Sequence, residues 1–351
     1  MALGVFIDWM ERGWIPEPMI RAGIRQLCRQ RLKSLEVSDP ELEQERNSSY
    51  VGALKQSAIA FATEKANQQH YELPADFYEL VLGKNKKYSS GYWPEGCHSL
   101  DQSEETALQI TFQRAEVQDG MRILDLGCGW GSVSLNLAAQ FPQAQIVGIS
   151  NSNSQRQYIM DQAQKRGLHN VTILTGDIST FQAPDNWLSG FDRVISVEML
   201  EHVRNYEKLF EKISQWLKPE GKFFVHIFTH SRYSYPFETE GDDNWMGRYF
   251  FTGGQMPSHH LLTYFQKDLL LEQQWSWRGT HYQKTSEAWL RNMDQNRDAI
   301  MRIFREVYGS AESDRWFERW RVFFMSCSEL FGFDEGREWG VSHYLFKNRP
   351  R

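Results

Sequence analysis

The sequence predicts an α/β fold with a doubly wound, mostly parallel sheet, on three observations. Short apolar runs alternate with helix-spaced segments from Arg122 to His226, a glycine-rich turn follows the first of those runs, and residues 1–85 carry helical periodicity almost alone. In the N-terminal stretch Met19, Ile20, Ile24, Leu27, Cys28 and Leu32 recur at spacings of three and four, with Pro18 shortly before them. A second helical pattern follows Pro40 through Val51, Leu54, Ile59 and Phe61. Residues 1–85 therefore read as a helical cap. In the segment 86–230, Ile123–Asp125, Ile146–Ile149, Val171–Leu174, Arg193–Val197 and Lys222–His226 read as strands. Between them Val133–Phe141, Asn153–Arg166 and Tyr206–Trp216 have helical spacing, which makes βαβ units. Residues 231–351 read as insertions around the last strands: an aromatic segment 231–258, a helix His260–Leu270, a strand Gln273–Gly279, a long helical stretch Thr285–Phe331 and a strand Gly340–Phe346.

Composition narrows the function. Of 351 residues, 41% are hydrophobic and 24% charged, and the mean hydropathy is −0.58, as in a globular protein outside the membrane. No apolar run reaches the length of a spanning helix, and an N-terminus carrying Asp8, Glu11 and Arg12 lacks signal-peptide form, so the cytoplasm is expected. Lys and Arg number 39 against 45 Asp and Glu. That balance offers no basic field for nucleic acid or anionic lipid. The basic run Arg21, Arg25, Arg29, Arg31 and Lys33 is the one candidate lipid patch, with a solvated helix face as its plainer reading. Cys28, Cys97, Cys128 and Cys327 are far apart, without a CxxC pair, and read as reduced thiols and not as metal ligands. The 14% aromatic share either fills a core or lines a pocket for a flat or cationic ligand.

The sharpest motif is Asp125-Leu-Gly127-Cys-Gly129-Trp-Gly131, directly after a strand and opening a helix. Glycines there let backbone approach a ligand. The spacing is GxGxG, the acid precedes the glycines, and the next strand ends Gly148-Ile-Ser150-Asn151 without the acid of a dinucleotide site. Asp177, after the third strand, is either a turn acid or an adenine reader.

The strings ILDLGCGWG, IVGISNSNSQ, TGDI and VISVEMLEHV resemble the S-adenosylmethionine-dependent methyltransferases of the cyclopropane fatty acid synthase superfamily. WIPEPMIRAGIRQLCRQRL, HYELP, GDDNW, YFQKD, a Trp289-Leu pair and VSHYLFKN resemble its coclaurine and pavine N-methyltransferase branch more closely. The resemblance implies a Rossmann-like sheet of seven strands with the last hairpin antiparallel. It implies S-adenosylmethionine held by Asp125, Gly127, Gly129 and Gly131 at the methionine portion, with Ser150, Asn151 and Gln155 at the ribose. Asp177 and Ile178 would lie at the adenine, and Tyr88 and Ser89 would close over the carboxylate.

Glu198, Glu201 and His202 follow the fourth strand, where ligands of open α/β sheets bind. On the first turn of a helix all three would share a face; a solvated helix start is the alternative. Methyl transfer requires alignment and an unprotonated amine. The resemblance implicates Glu201 and His202 in handling the proton, with Tyr71 and Glu72 contacting substrate from the cap. His226 is a core histidine or, with Glu201 and Tyr282, the counterpart of the bicarbonate-binding set of cyclopropane synthases. Ser90 and Phe228 depart from that set. Trp245 and Phe265, among other aromatics, are expected to wall a substrate pocket. The expected activity is N-methylation of a small aromatic or heterocyclic amine. Methylene transfer to lipid acyl chains is the alternative, a scaffold protein the non-enzymatic one, and a homodimer stays open.

Overall fold

The computed structural model describes residues 3–60, 73–241 and 244–349. The cap begins with helices α1 (Leu3–Glu11), α2 (Glu17–Leu35), α3 (Pro40–Gln56) and α4 (Ala75–Val81). Pro18 sits in the first turn of α2, where its missing N–H costs nothing, and the Asp39 carboxylate caps α3 by accepting from the Glu41 N–H at 2.8 Å. Helix α5 (Leu100–Arg114), capped by Ser99, leads into the sheet. There follow β1 (Arg122–Leu126), α6 (Ser132–Gln140), β2 (Gln145–Ser150), α7 (Asn153–Lys165), β3 (Val171–Thr175), β4 (Phe191–Val197), α8 (Tyr206–Trp216) and β5 (Leu217–His230). A small hairpin, β6 (Tyr235–Pro236) with β7 (Gln255–Met256), encloses α9 (Trp245–Tyr249). The chain closes with β8 (Leu269–Arg278), α10 (Thr280–Gln295), α11 (Arg297–Tyr308), α12 (Ser313–Gly332) and β9 (Trp339–Asn348).

The sheet runs β3-β2-β1-β4-β5-β9-β8, parallel through β5 and antiparallel in its last two pairings. The order reverses between β1 and β4, which pair through Ile123 with Arg193 and Asp125 with Ile195. Connections leave that point for opposite sides, so a crevice opens at the carboxyl ends of the two strands. Apolar residues cover both faces: Leu126, Leu209 and Phe223 on one, Val133, Ile146 and Phe224 on the other.

A third core joins the two ends of the chain. Met10, Ile20, Phe77, Trp289, Phe304 and Trp320 pack together, so the N-terminal helices and α10–α12 form one layer over the sheet edge. Arg21 ties α2 to that layer by reaching Glu287 at 2.6 Å and Glu329 at 3.1 Å, and Arg25 reaches Glu329 at 2.8 Å. Arg29 and Arg31 lie over the rings of Phe333 and Tyr235. Most of the candidate lipid patch is thus spent on internal partners. Among the described residues, no helix is long and apolar enough to cross a membrane.

Two sequence expectations change. The helical stretch Thr285–Phe331 is three helices, interrupted at Asn296, whose side chain donates to the Leu80 carbonyl at 2.9 Å, and at Gly309, with φ +78°. The helix expected over His260–Leu270 is a single 3-10 turn, Leu261–Tyr264, because Leu269 already pairs with Asn348 as the first residue of β8.

Candidate active site

The turn after β1 forms the end of the site where the sequence places the cofactor. Gly127, Gly129 and Gly131 all have positive φ, +85°, +52° and +82°. A Cβ on Gly127 would lie 2.6 Å from the Met199 side chain, whereas one on Gly129 meets no atom within 4 Å and would project into open space. The first glycine is needed for packing; the middle one keeps a cavity open.

Two cavities meet here, sharing Gly127, Gly129 and Glu198. The first is lined by Ser150, Asn151, Gln155, Asp177, Ile178 and His202 besides the shared residues. The second is lined by Lys87, Tyr88, Ser89, Asp125 and Trp130. Of the residues expected at the cofactor, only Gly131 stands behind the walls. The donor set fits S-adenosylmethionine. Ser150 Oγ donates to Gln155 Oε1 at 2.6 Å, which leaves Gln155 Nε2 buried without a partner among the described residues, a donor suited to a ribose hydroxyl. Ser132 Oγ, in the wall of the second cavity, is likewise unpartnered. Asp125 accepts from Ser134 Oγ at 2.6 Å, yet burial pushes its carboxyl up to about 7.

Glu198 stands where the cavities join. Its φ is +46°, and its N–H donates to the His226 carbonyl at 2.8 Å, continuing the β4–β5 pairing one residue past the strand. The expected helical turn does not form there: Met199 has φ −125°, and only Leu200–His202 make a 3-10 turn. The three polar side chains therefore share no helix face and meet different partners. Glu198 Oε1 accepts from the Ser90 N–H at 3.0 Å and from His226 Nε2 at 3.1 Å, and Oε2 accepts from the Tyr282 hydroxyl at 2.6 Å. The carboxylate joined to His226 and Tyr282 is thus Glu198, in place of the expected Glu201. Glu201 is buried with Oε2 unpartnered among the described residues, and His202 Nδ1 is unpartnered too. The His202 ring lies parallel to Phe251 at 6.3 Å.

Burial raises the Glu198 carboxyl, opposed by the Lys87 ammonium and by its donors. Glu201 goes further, well above the carboxylate range, because burial is compounded by the neighbouring Glu198. Two like charges cannot share this site, so the negative charge resides on Glu198 and the proton on Glu201. Burial lowers His202 to about 4, leaving a neutral imidazole.

Other expected residues do not gather here. Trp245 is buried in the cap core, its Nε1 donating to Glu11 Oε1 at 2.9 Å, and Phe265 packs edge-on to Tyr206; neither lines either of these two cavities. Tyr71 and Glu72 lie outside the described residues. Lys87 was missed by the sequence reading although it directly precedes Tyr88. It is buried, its Nζ donates to Ser89 Oγ and the Ser90 carbonyl at 2.5 and 2.7 Å, and burial brings it down to about 8. A lysine next to a ligand-closing pair was the available signal.

The sequence profile of the mycolic acid cyclopropane synthetase family matches residues 60–336. The chain belongs to this family. It is 34% identical over 344 residues to an (S)-coclaurine N-methyltransferase of Thalictrum flavum subsp. glaucum, covering 97% of this chain and 94% of that one. It is 32% identical to a pavine N-methyltransferase of the same plant, covering 99% and 98%. The crystal structure of coclaurine N-methyltransferase bound to N-methylheliamine and SAH superposes with a TM-score of 0.95 at 33% identity, covering 99% of this chain and all of that one. The chain is accordingly an S-adenosylmethionine-dependent methyltransferase.

Proposed function

We propose that this methyltransferase moves a methyl group from S-adenosylmethionine to the nitrogen of a small aromatic or heterocyclic amine. The observation that carries the reading is Glu198, a buried carboxylate held by three donors at the junction of the two cavities. A carboxylate in that place attracts an amine and faces the positive charge that shifts from sulfur to nitrogen during transfer. Relatives acting, by their names, on coclaurine and pavine support the amine as acceptor.

When bound, S-adenosylmethionine supplies a methyl group on a sulfonium: the amine lone pair forms the new N–C bond and the C–S pair stays on sulfur. In this reading Asp125, Lys87, Tyr88 and Ser89 hold the methionine portion, Ser150, Asn151 and Gln155 the ribose, and Asp177 with Ile178 the adenine. His202 lines the first cavity and is uncharged, with Nδ1 unpartnered among the described residues, and in this reading takes the proton that the methylated nitrogen releases. Glu201 keeps its own proton and so leaves Glu198 the sole anion of the pair. Tyr71 and Glu72 remain substrate contacts by resemblance alone. Free thiols at Cys28, Cys97, Cys128 and Cys327 suit the cytoplasm as the compartment.

Incubation with deuterium-labelled S-adenosylmethionine and a panel of tetrahydroisoquinolines, phenethylamines and unsaturated phospholipid vesicles tests the proposal by mass spectrometry. A labelled methyl on an amine nitrogen is expected. Label in acyl chains with none in any amine would overturn it.

A further inference from the structure

Three groups that the reaction does not consume form a line leading away from Glu198. Arg114, the last residue of α5, places Nη1 2.8 Å from His343 Nδ1 on β9. His343 Nε2 lies 2.9 Å from His226 Nδ1 on β5, and His226 Nε2 lies 3.1 Å from Glu198 Oε1. The β5–β9 register sets the two histidines directly opposite each other, and neither has exposed surface.

The polarity of this line is fixed from its outer end. A guanidinium has donors only, so His343 Nδ1 must accept. Both imidazoles are neutral, since burial and the nearby Arg114 and Lys87 cations push them well below the ordinary histidine range. A neutral ring that accepts at Nδ1 carries its hydrogen on Nε2. His343 therefore donates to His226 Nδ1, and His226 donates from Nε2 to Glu198. Arg114 is itself held in place, half-buried, with its guanidinium over Trp275 at 4.8 Å and Trp277 at 5.8 Å.

We infer that Arg114 is a positioning residue for methyl transfer: through His343 and His226 it fixes two tautomers, so that an N–H from His226 always meets Glu198. The inference deepens the proposed reading of Glu198 and rests on it for its catalytic consequence. Without the guanidinium, His343 is free to place its hydrogen on Nδ1. The line can then run the other way, turning the lone pair of His226 Nε2 towards the carboxylate. Glu198 would relieve that repulsion by taking up a proton, losing the negative charge that serves the amine. The titratable and charged groups facing Glu198 are Lys87 from the loop before α5, Glu201 from its own loop, His226 from β5, Tyr282 from α10 and Cys327 from α12; Arg114 and Lys87 face His343.

The test uses the full chain labelled with 15N at histidine, read by long-range proton–nitrogen correlation without amine present, beside kinetics of Arg114→Met and Arg114→Lys. In the unmodified protein both His226 and His343 should show hydrogen on Nε2 only. Arg114→Met should lose that single pattern, lower kcat about tenfold with KM for S-adenosylmethionine unchanged, and move the acid limb of the kcat–pH profile upward by about one unit. Arg114→Lys, which keeps a donor, should recover most of both. Hydrogen on Nδ1 of either histidine in the unmodified protein, or Arg114→Met with kcat and pH profile unmoved, overturns the inference. If Arg114→Met does not fold, His343→Gln and His343→Phe decide the matter. Glutamine keeps one donor and one acceptor and should retain activity that phenylalanine loses; equal loss in both overturns it. The spectra need no acceptor, so a correct tautomer pattern with no amine methylated is a failure of the amine reading alone.

Discussion

The cofactor half of the site and the acceptor half are built in different ways. In the proposed reading the cofactor half is assembled mostly from the carboxyl ends of three adjacent strands: Asp125 to Trp130 at the end of β1, Ser150 to Gln155 at the end of β2, and Asp177 and Ile178 after β3. Each piece is a short local turn whose shape follows from its own residues. The acceptor half hangs on Glu198, whose partners Ser90, His226 and Tyr282 come from a loop, the middle of the sheet and a helix of the cap. In the proposed reading, local chemistry places the cofactor and long-range folding places the charge that meets the amine.

The strongest break of that comparison is Glu198→Gln. Its amide keeps one acceptor but loses the charge and sets an N–H against the donors of His226, Ser90 or Tyr282. We expect kcat to fall by about two to three orders of magnitude while the affinity for S-adenosylmethionine, measured by calorimetry, changes little. A parallel collapse of cofactor affinity would mean that the two halves are not separable.

Gly129→Val acts on the other half. It combines the positive φ with a side chain projected into the shared cavity wall. Cofactor affinity should drop at least about tenfold, with a stability loss of about 1–2 kcal/mol from the left-handed backbone. Retained affinity would show that the turn does not approach the ligand.

Legibility in the sequence divides along the same line. The glycine turn, the strand alternation and every cofactor-lining residue expected are local patterns, and the structure brings nearly all of them to the two cavities. The carboxylate cluster was legible as a cluster but not as geometry. A helical spacing of three and four supposes a helix, and the N–H of Glu198 instead extends the sheet pairing to His226. The line through His343 depends on the antiparallel register of strands more than a hundred residues apart, which no window of sequence contains. The same holds for Trp245: an aromatic in an irregular insertion gives no sign that its partner is Glu11.

A smaller effect concerns pH. Asp125 has a carboxyl raised to about 7, and the ammonium of the methionine portion would stabilise its ionised form. Its value in the complex therefore lies below its value in the free protein. Cofactor affinity is complete above about 7 and declines as pH falls from there towards the lower value of the complex. Titration of the binding constant between pH 8 and about 5.5 should show this decline, and Asp125→Asn should flatten it. A wild-type affinity independent of pH would remove Asp125 from the ammonium.

The smallest effect on catalysis is expected at Trp245→Phe. The change keeps the ring inside the cap core and deletes only the N–H that meets Glu11 Oε1, while Arg319 still holds Glu11 Oε2 at 2.8 Å. Glu11 is almost fully buried, so one carboxylate oxygen is left without its donor, at a cost of about 1–3 kcal/mol in urea unfolding. Because Trp245 lines neither cavity, kcat and KM for the amine should stay within about twofold, the range of substitutions away from the site. If KM for the amine instead rises with little loss of stability, the indole reaches the substrate. The cap layer would then belong to the acceptor half, and the division between locally built and distantly assembled parts would run through α9.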